Sequence, residues 1–342
     1  MTNGLPFDAR IYVAGHRGLA GSALARQLRA HGCTNLIART HSELDLTDQV
    51  AVRNFFHRER PEYVFVAAGK VGGIMANNTY PAEFITENLA IQTNVIHEAW
   101  RVGVKRLLFL GSSCIYPRDC PQPIKESYLL TGPLEFTNRP YALAKIAGVE
   151  MCWSYNRQYG TRFLAVMPTN LYGPGDHYDL QNSHVLPALI RKFHEAKVCG
   201  ERAVTLWGTG APRREFLYSD DMAAACVFIM NLADEDFDRV LNPDASVPQP
   251  PLINIGCGED LTIRVLAEKV RASVGFAGRI DWDSSKPDGT PRKLLDVGRL
   301  HALGWRAQIS LEQGIIEAYR DFLLGADART AAIPPDRAAT GL

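Results

Sequence analysis

Short apolar runs recur along the first half of the chain, at residues 11–14, 35–38, 63–67, 106–110 and 163–166, and each reads as a strand. Between them, residues 21–30, 48–58, 81–102 and 141–159 place apolar side chains at helical spacing. Phe84, Ile85, Leu89, Ile96 and Ala99 do so in the third of these segments. The strands carry almost no polar face, and strands of that kind alternating with helices predict βαβ units in a parallel sheet covered on both sides. Right-handed crossovers then give an α/β, Rossmann-like doubly wound parallel sheet.

The second half is less regular. Helical spacing appears at 183–196, 220–232, 262–274 and 311–324, and strand-like runs at 253–256 and 280–282. These predict a smaller mixed α/β domain. Residues 174–181 are polar, and 234–251 are rich in Asp and Pro, so both read as surface loops. At roughly 150 residues per domain, 342 residues predict about two domains. Their expected spans are 8–175, joined by segments returning from the second half, and 176–325. The Ala-, Pro- and Arg-containing stretch 326–342 reads as a disordered tail.

Charge and composition remove several function classes. Lys plus Arg and Asp plus Glu both number 37, which leaves no net charge with which to hold a nucleic acid. The most apolar segment, 222–233, is shorter than the ~18 residues of a membrane span. The first ten residues lack the apolar core of a secretory signal. Seven cysteines, at 33, 114, 120, 152, 199, 226 and 257, include no C-x-x-C pair. An odd, scattered set predicts a reduced, cytoplasmic protein without a structural metal.

Gly15-His16-Arg17-Gly18-Leu19-Ala20-Gly21 follows the first strand and opens the first helix. Glycines there permit a tight turn and let a pyrophosphate approach the helix N-terminus, which predicts a dinucleotide site. The second strand ends Ala38-Arg39-Thr40-His41. An NAD site tends to place a carboxylate there, whereas Arg39, His41 and Arg17 suit a 2′-phosphate, hence NADP(H). Asp45 and Leu46 follow and are assigned to the adenine side.

Tyr141-Ala142-Leu143-Ala144-Lys145 is Y-x-x-x-K, which puts phenol and ammonium on one helix face. An adjacent ammonium is expected to lower the phenol pKa and make Tyr141 an acid–base group. Pro140 suits the helix start. As a bare pattern Y-x-x-x-K is common, and its weight comes from its place after the fourth strand. Ser112 and Ser113 end that strand, where ligands bind in open α/β sheets, and a serine there can hydrogen-bond a substrate carbonyl.

The glycine loop, the strand-end serine and Tyr141/Lys145 resemble the extended short-chain dehydrogenase/reductase superfamily. Longer strings narrow the likeness: Ala14-Gly15-His16-Arg17-Gly18, Lys70-Val71-Gly72-Gly73-Ile74 with Asn77-Asn78-Thr79-Tyr80-Pro81, Leu110-Gly111-Ser112-Ser113-Cys114-Ile115-Tyr116-Pro117, Pro168-Thr169-Asn170-Leu171-Tyr172-Gly173-Pro174, Asn182-Ser183-His184-Val185, and Ser285-Lys286-Pro287-Asp288-Gly289-Thr290-Pro291-Arg292-Lys293. In this order, from about residue 10 to about 324, they resemble the GDP-L-fucose synthase family. The resemblance implies NADPH-dependent conversion of GDP-4-keto-6-deoxy-D-mannose (GDP-4-dehydro-6-deoxy-D-mannose) to GDP-L-fucose, by epimerisation at C3 and C5 and then reduction at C4.

The resemblance also implies the roles. Cys114 and His184 become the epimerisation base and acid, Tyr141 the proton donor to the C4 oxygen, Lys145 its partner and a nicotinamide-ribose ligand, and Ser112 the group that polarises the carbonyl. Cofactor contacts extend to Leu19, Leu110, Gly111, Pro168, Asn170, Leu171 and His184. Trp207, Arg214, Lys192 and Asp288 become GDP-sugar ligands, with Arg214 suited to a diphosphate. The first domain becomes the NADP-binding one, the second that of the GDP-sugar, and the molecule a homodimer built on helices 81–102 and 141–159. The chain departs from the family at His41, often an arginine there, so 2′-phosphate selection would rest more on Arg17 and Arg39.

Three other readings stay open on the sequence. A 4-epimerase of the superfamily needs no Cys114/His184 pair, and a 4,6-dehydratase would want acidic residues where Cys114-Ile115 stands. A non-catalytic NADP-sensing protein would be expected to have lost Tyr141 or Lys145.

Overall fold

The computed structural model describes residues 4–180, 183–242, 249–286 and 288–331. In the first half β1 (Ile11–Ala14), α1 (Leu19–Ala30), β2 (Leu36–Ile37), α2 (Gln49–Glu59), β3 (Tyr63–Val66), α3 (Ile74–Thr79), α4 (Pro81–Arg101), β4 (Arg106–Leu110), α5 (Arg139–Tyr159) and β5 (Phe163–Pro168) follow one another. Then come β6 (Asn170–Tyr172), α6 (Val185–Val198), β7 (Ala203–Trp207), β8 (Arg213–Arg214), β9 (Phe216–Tyr218), α7 (Ser219–Met230), α8 (Asp234–Leu241) and β10 (Leu252–Ile255). The chain finishes with β11 (Leu261–Thr262), α9 (Ile263–Val274), β12 (Arg279–Asp283), β13 (Arg292–Lys293), α10 (Gly298–Ala302) and α11 (Leu311–Ala331).

Six strands form the central sheet in the order β10-β5-β4-β3-β1-β2, and every pair is parallel. Each position of β1, β3, β4 and β5 is buried, as a parallel sheet covered on both faces requires. One face packs on α1 and α7 through Leu24, Leu28, Met222 and Ile229. The other packs on α2, α4 and α5 through Phe55, Phe56, Val95, Ile96 and Val149. A third core joins α6, α9 and α11 around Phe193, Leu266, Val270, Phe276 and Ile315. The second half also returns to the first: β10 pairs with β5, Leu252 opposite Ala165.

Local chemistry sets the element ends. Asp48 caps α2 by accepting from Val50 N and Ala51 N, and Thr262 caps α9 by accepting from Val265 N. Gly160 and Gly275 end α5 and α9 in the left-handed conformation.

Two expectations are corrected. The stretch taken as a loop from 234 begins with helix α8, because Phe237 and Leu241 bury one face and Asp234, Glu235 and Asp236 complement its N-terminal dipole. The Asp-rich composition that suggested a loop belongs to the helix's first turn. The tail expected after Gly325 continues as helix α11 to Ala331. Residues 332–342, and 243–248 of the Pro-rich stretch, lie outside the described residues. α3 and most short strands of the second half show no usable period in the sequence, the strands holding two to five residues each. No helix among the described residues is long and apolar enough to cross a membrane.

Candidate active site

β2 flanks β1 on one side and β3 on the other, so the carboxyl ends of β1 and β3 open a crevice at the point where strand order reverses. The glycine loop lies there. Gly15 has φ +81°, and a Cβ on it would stand 2.7 Å from Ala68 N. A Cβ on Gly21 would stand 2.0 Å from Gly15 O, so neither position accepts a side chain. Gly18 N donates to Gly15 O at 3.0 Å and Gly18 caps α1 without a side chain, which leaves the helix N-terminus to a ligand. His16 Nδ1 beside it is buried and has no protein partner. The bare cradle and the orphaned ring nitrogen fit a dinucleotide pyrophosphate.

At the far end of the crevice the cations differ. Arg17 is exposed. Arg39 is held down: it pairs with Glu59 at 2.9 Å, donates to Ala38 O at 2.7 Å and lies over the Phe55 ring. His41 is exposed, with Nδ1 4.0 Å from Asp45 Oδ1. Bonds from Thr47 N and Oγ1 hold the Asp45 carboxyl below its usual range. Leu46 is buried and its carbonyl accepts from Asn94 Nδ2.

Beyond β4 the chemistry concentrates. Lys145 is 4% exposed and its Nζ donates to Leu110 O at 3.0 Å, at the end of β4. Burial drops its pKa from 10.5 to about 8. Its Nζ lies 5.8 Å from the centre of the Tyr141 ring. The lowering expected for Tyr141 is not what the protein's own atoms give. Burial pushes the phenol upward, Cys114 adds to this, and a hydrogen bond with Ser112 opposes it. Desolvation prevails because the phenol is deeply buried and the Lys145 Nζ stands 5.8 Å from the ring centre. A phenol kept protonated is the form a proton donor needs.

Ser112 Oγ accepts from Cys114 N at 3.2 Å, capping the 3₁₀ turn Ser113–Ile115 that carries Cys114. The sulfur faces two donors, Asn138 Nδ2 at 3.3 Å and Lys293 Nζ at 3.7 Å. Neither donor was singled out from the sequence. Asn138 stands just before α5 and Tyr141, and Lys293 ends the 285–293 string, so both signals were present but gave no reason to choose them. Gly111 lets β4 pass close to Met167, whose Cε a Cβ would meet at 2.3 Å. Pro168 ends β5, Leu171 lies in β6, and Asn170 between them donates to Glu215 O at 2.7 Å.

From the second half, His184 occupies the N-cap of α6 and is exposed there. The protein around it still disfavours the imidazolium and lowers its pKa. Trp207, at the end of β7, is 66% exposed, a free indole face. Lys192 of α6 and Lys286, which the sequence reading left unassigned, each bring Nζ to 5.8 Å from its centre. Arg214 is half-buried and donates to Thr290 O at 2.6 Å. Asp288 accepts from Thr209 N and Oγ1 at 2.9 and 2.6 Å, so its carboxylate clamps the turn after Trp207.

Comparison with known proteins gives the family. Residues 11–242 match the NAD dependent epimerase/dehydratase family. GDP-L-fucose synthase 1 of Arabidopsis thaliana is 56% identical over 316 residues, covering 92% of this chain and 94% of the relative. The GDP-L-fucose synthase of Escherichia coli (strain K12) is 55% identical over 318 residues, covering 93% and 98%. Among solved structures, the GDP-mannoheptose C4 reductase of Campylobacter jejuni with NADP bound superposes with a TM-score of 0.83 at 41% identity, covering 94% of this chain and all of that one (100%).

Proposed function

The chain belongs to the GDP-L-fucose synthase family of NAD dependent epimerases/dehydratases, and from that premise we propose that it converts GDP-4-keto-6-deoxy-D-mannose to GDP-L-fucose. It is an NADP-dependent oxidoreductase that also epimerises. One observation carries the reading: Cys114, with two N–H donors on its sulfur, sits on the turn beside Ser112, Tyr141 and Lys145. An epimerisation base and a carbonyl-reduction apparatus therefore share one strand end.

The C4 ketone acidifies the protons on C3 and C5. Cys114 thiolate takes a proton from the ring carbon, the electrons move into the enolate oxygen, and His184 returns a proton to the opposite face from its imidazolium form, which its surroundings make the less populated one. Ser112 holds the C4 oxygen. NADPH, held along the glycine loop, would supply the hydride for C4. Tyr141 then gives its proton to the C4 oxygen, and Lys145 steadies the phenolate left behind. Gly15, Gly18, Leu19 and Gly21 would hold the pyrophosphate, and Arg17, Arg39 and His41 the 2′-phosphate. Asp45 and Leu46 would lie beside the adenine, and Leu110, Gly111, Pro168, Asn170, Leu171 and His184 beside the nicotinamide. Residues 8–175 with β10 form the cofactor half, and 176–325 the GDP-sugar half, where Trp207 stacks the base, Arg214 and Lys192 take the diphosphate and Asp288 orders the loop. Two chains pair across α4 and α5. A reducing compartment such as the cytoplasm keeps the Cys114 thiol free.

The likeness to a C4 reductase supports a second reading, in which only Ser112, Tyr141 and Lys145 work and no carbon is inverted. One experiment separates the two. In heavy water without NADPH, the wild type should place deuterium at C3 and C5 of the keto sugar. Tyr141→Phe should still exchange and, when NADPH is then added, consume almost none, and Cys114→Ala should fail to exchange. Wild-type exchange in Cys114→Ala would remove Cys114 as the base, and no exchange in the wild type would favour the reductase.

A further inference from the structure

We propose that Asn254 is a positioning residue for the epimerisation chemistry: through Tyr116 it sets Cys114, and through the segment that follows β13 it sets Lys293. The inference rests on the reading of Cys114 as the base.

β10 is buried at every position, and Asn254 within it is wholly buried. An apolar residue is the default in such a strand. A buried amide persists only where its donors and acceptor are satisfied. Here all of them are, and none by the sheet. Tyr116 Oη donates to Asn254 Oδ1 at 2.6 Å. Asn254 Nδ2 donates to Ile124 O at 2.9 Å and to Asp296 O at 3.1 Å. The Asn254 main-chain N donates to Glu126 Oε1 at 3.1 Å.

Two of the segments so joined lead to one sulfur. Tyr116 is 3% exposed and stands two residues past Cys114, with only the end of a 3₁₀ turn between them. Asp296 stands three residues past Lys293. The chain between is stapled along its length: Ile124 N donates to Leu294 O at 2.7 Å, Asp296 N to Ile124 O at 2.8 Å, Leu294 N to Gln122 Oε1 at 2.9 Å and Leu295 N to Glu215 Oε2 at 3.0 Å. Sulfur and ammonium, 3.7 Å apart, thus hang on two arms that meet at one amide. A valine in its place would close the sheet equally well but would leave the arms unregistered. Small displacements at reacting groups lower rate steeply.

Tyr116→Phe removes one oxygen and keeps the ring, so it acts on the Cys114 arm. Gln122→Ala removes the acceptor for Leu294 N from a half-buried loop, so it acts on the Lys293 arm. Two reactions are measured for each: deuterium exchange into C3 and C5 of GDP-4-keto-6-deoxy-D-mannose, and reverse hydride transfer from GDP-L-fucose to NADP⁺, which does not use the thiolate. Exchange should fall on the order of tenfold or more in both variants. Reverse hydride transfer and the KM for GDP-L-fucose should change less than about twofold. Should Tyr116→Phe fail to fold, Asn254→Ser, which removes the shared amide without adding a charge, is measured beside Gln122→Ala, with the same expected fall in exchange and the same overturning outcomes. Unchanged exchange, or an equal loss in both reactions, overturns the inference. If Cys114→Ala abolishes exchange while the two variants exchange normally, only the positioning role falls. Wild-type exchange in Cys114→Ala overturns the base assignment, and this inference with it.

Discussion

Arg17 and Arg39 carry the same charge at the same end of the crevice, yet their surroundings differ. Arg39 already pairs with Glu59 and stacks on Phe55, whereas Arg17 is exposed. A new phosphate contact therefore gains more from Arg17. Arg17→Ala should lower kcat/KM for NADPH by about 1.5–3 kcal/mol, with NADH little affected, and Arg39→Ala should do so less. Kinetics with both cofactors check the order. Lys145 gives a prediction of stability. Its folded pKa of about 8 lies below the ordinary 10.5, so between those values the unfolded chain holds a proton that the folded one has lost. Its contribution to stability is therefore lost as pH falls through that window and returns as pH rises. Urea unfolding of the cofactor-free protein at pH 8 and above should show a rising component of about 3 kcal/mol at most, absent in Lys145→Met.

Helix α8 hangs on one ring. Phe237 is fully buried in the core beneath α1 and α7, and Arg106 lies over it at 4.3 Å. Arg106 is itself buried, bonded to Met230 O, Leu232 O and Asp234. Phe237→Ala should cost about 3–5 kcal/mol in urea unfolding. Activity of the folded fraction should survive, because α8 meets the amino ends of the strands, through Arg106 and Arg162, and the candidate site lies at the carboxyl ends.

For the whole molecule, the prediction concerns association. α4 and α5 pack against each other, and Leu143 on α5 stays 44% exposed between the buried Ala142 and Ala144. Tyr159 on α5 is 45% exposed and stacks on Trp100 of α4 at 4.3 Å. If the two helices form the dimer face, Leu143→Arg should weaken self-association by at least about tenfold in sedimentation, since it buries an unpaired charge. A wild type that sediments as a monomer at all concentrations would discard the dimer.

Sequence alone was enough for a parallel sheet and for the alternation of its first five strands with α1, α2, α4 and α5, though not for α3 or for the return of β10 to the sheet edge. Those follow from apolar periodicity and from local rules: runs buried on both faces, Asp48 at a cap, glycines where Gly15 and Gly21 leave no room for a Cβ. Ser112, Cys114 and His184 were legible as candidates because each lies in an ordered string next to an element end, and Tyr141 and Lys145 because Y-x-x-x-K follows the fourth strand. What those strings could not carry was decided by residues far apart in the chain. Lys293 reaches the sulfur of Cys114 from 179 positions along the chain, and burial raises the Tyr141 phenol although a lysine stands four positions away. Short strands such as β8 and β13 exist through pairing with each other, Arg213 opposite Arg292, so no local period announces them. Periodicity reports which face of an element is covered. Desolvation and hydrogen-bond partners depend on what covers it, and that is settled only when the chain has closed on itself.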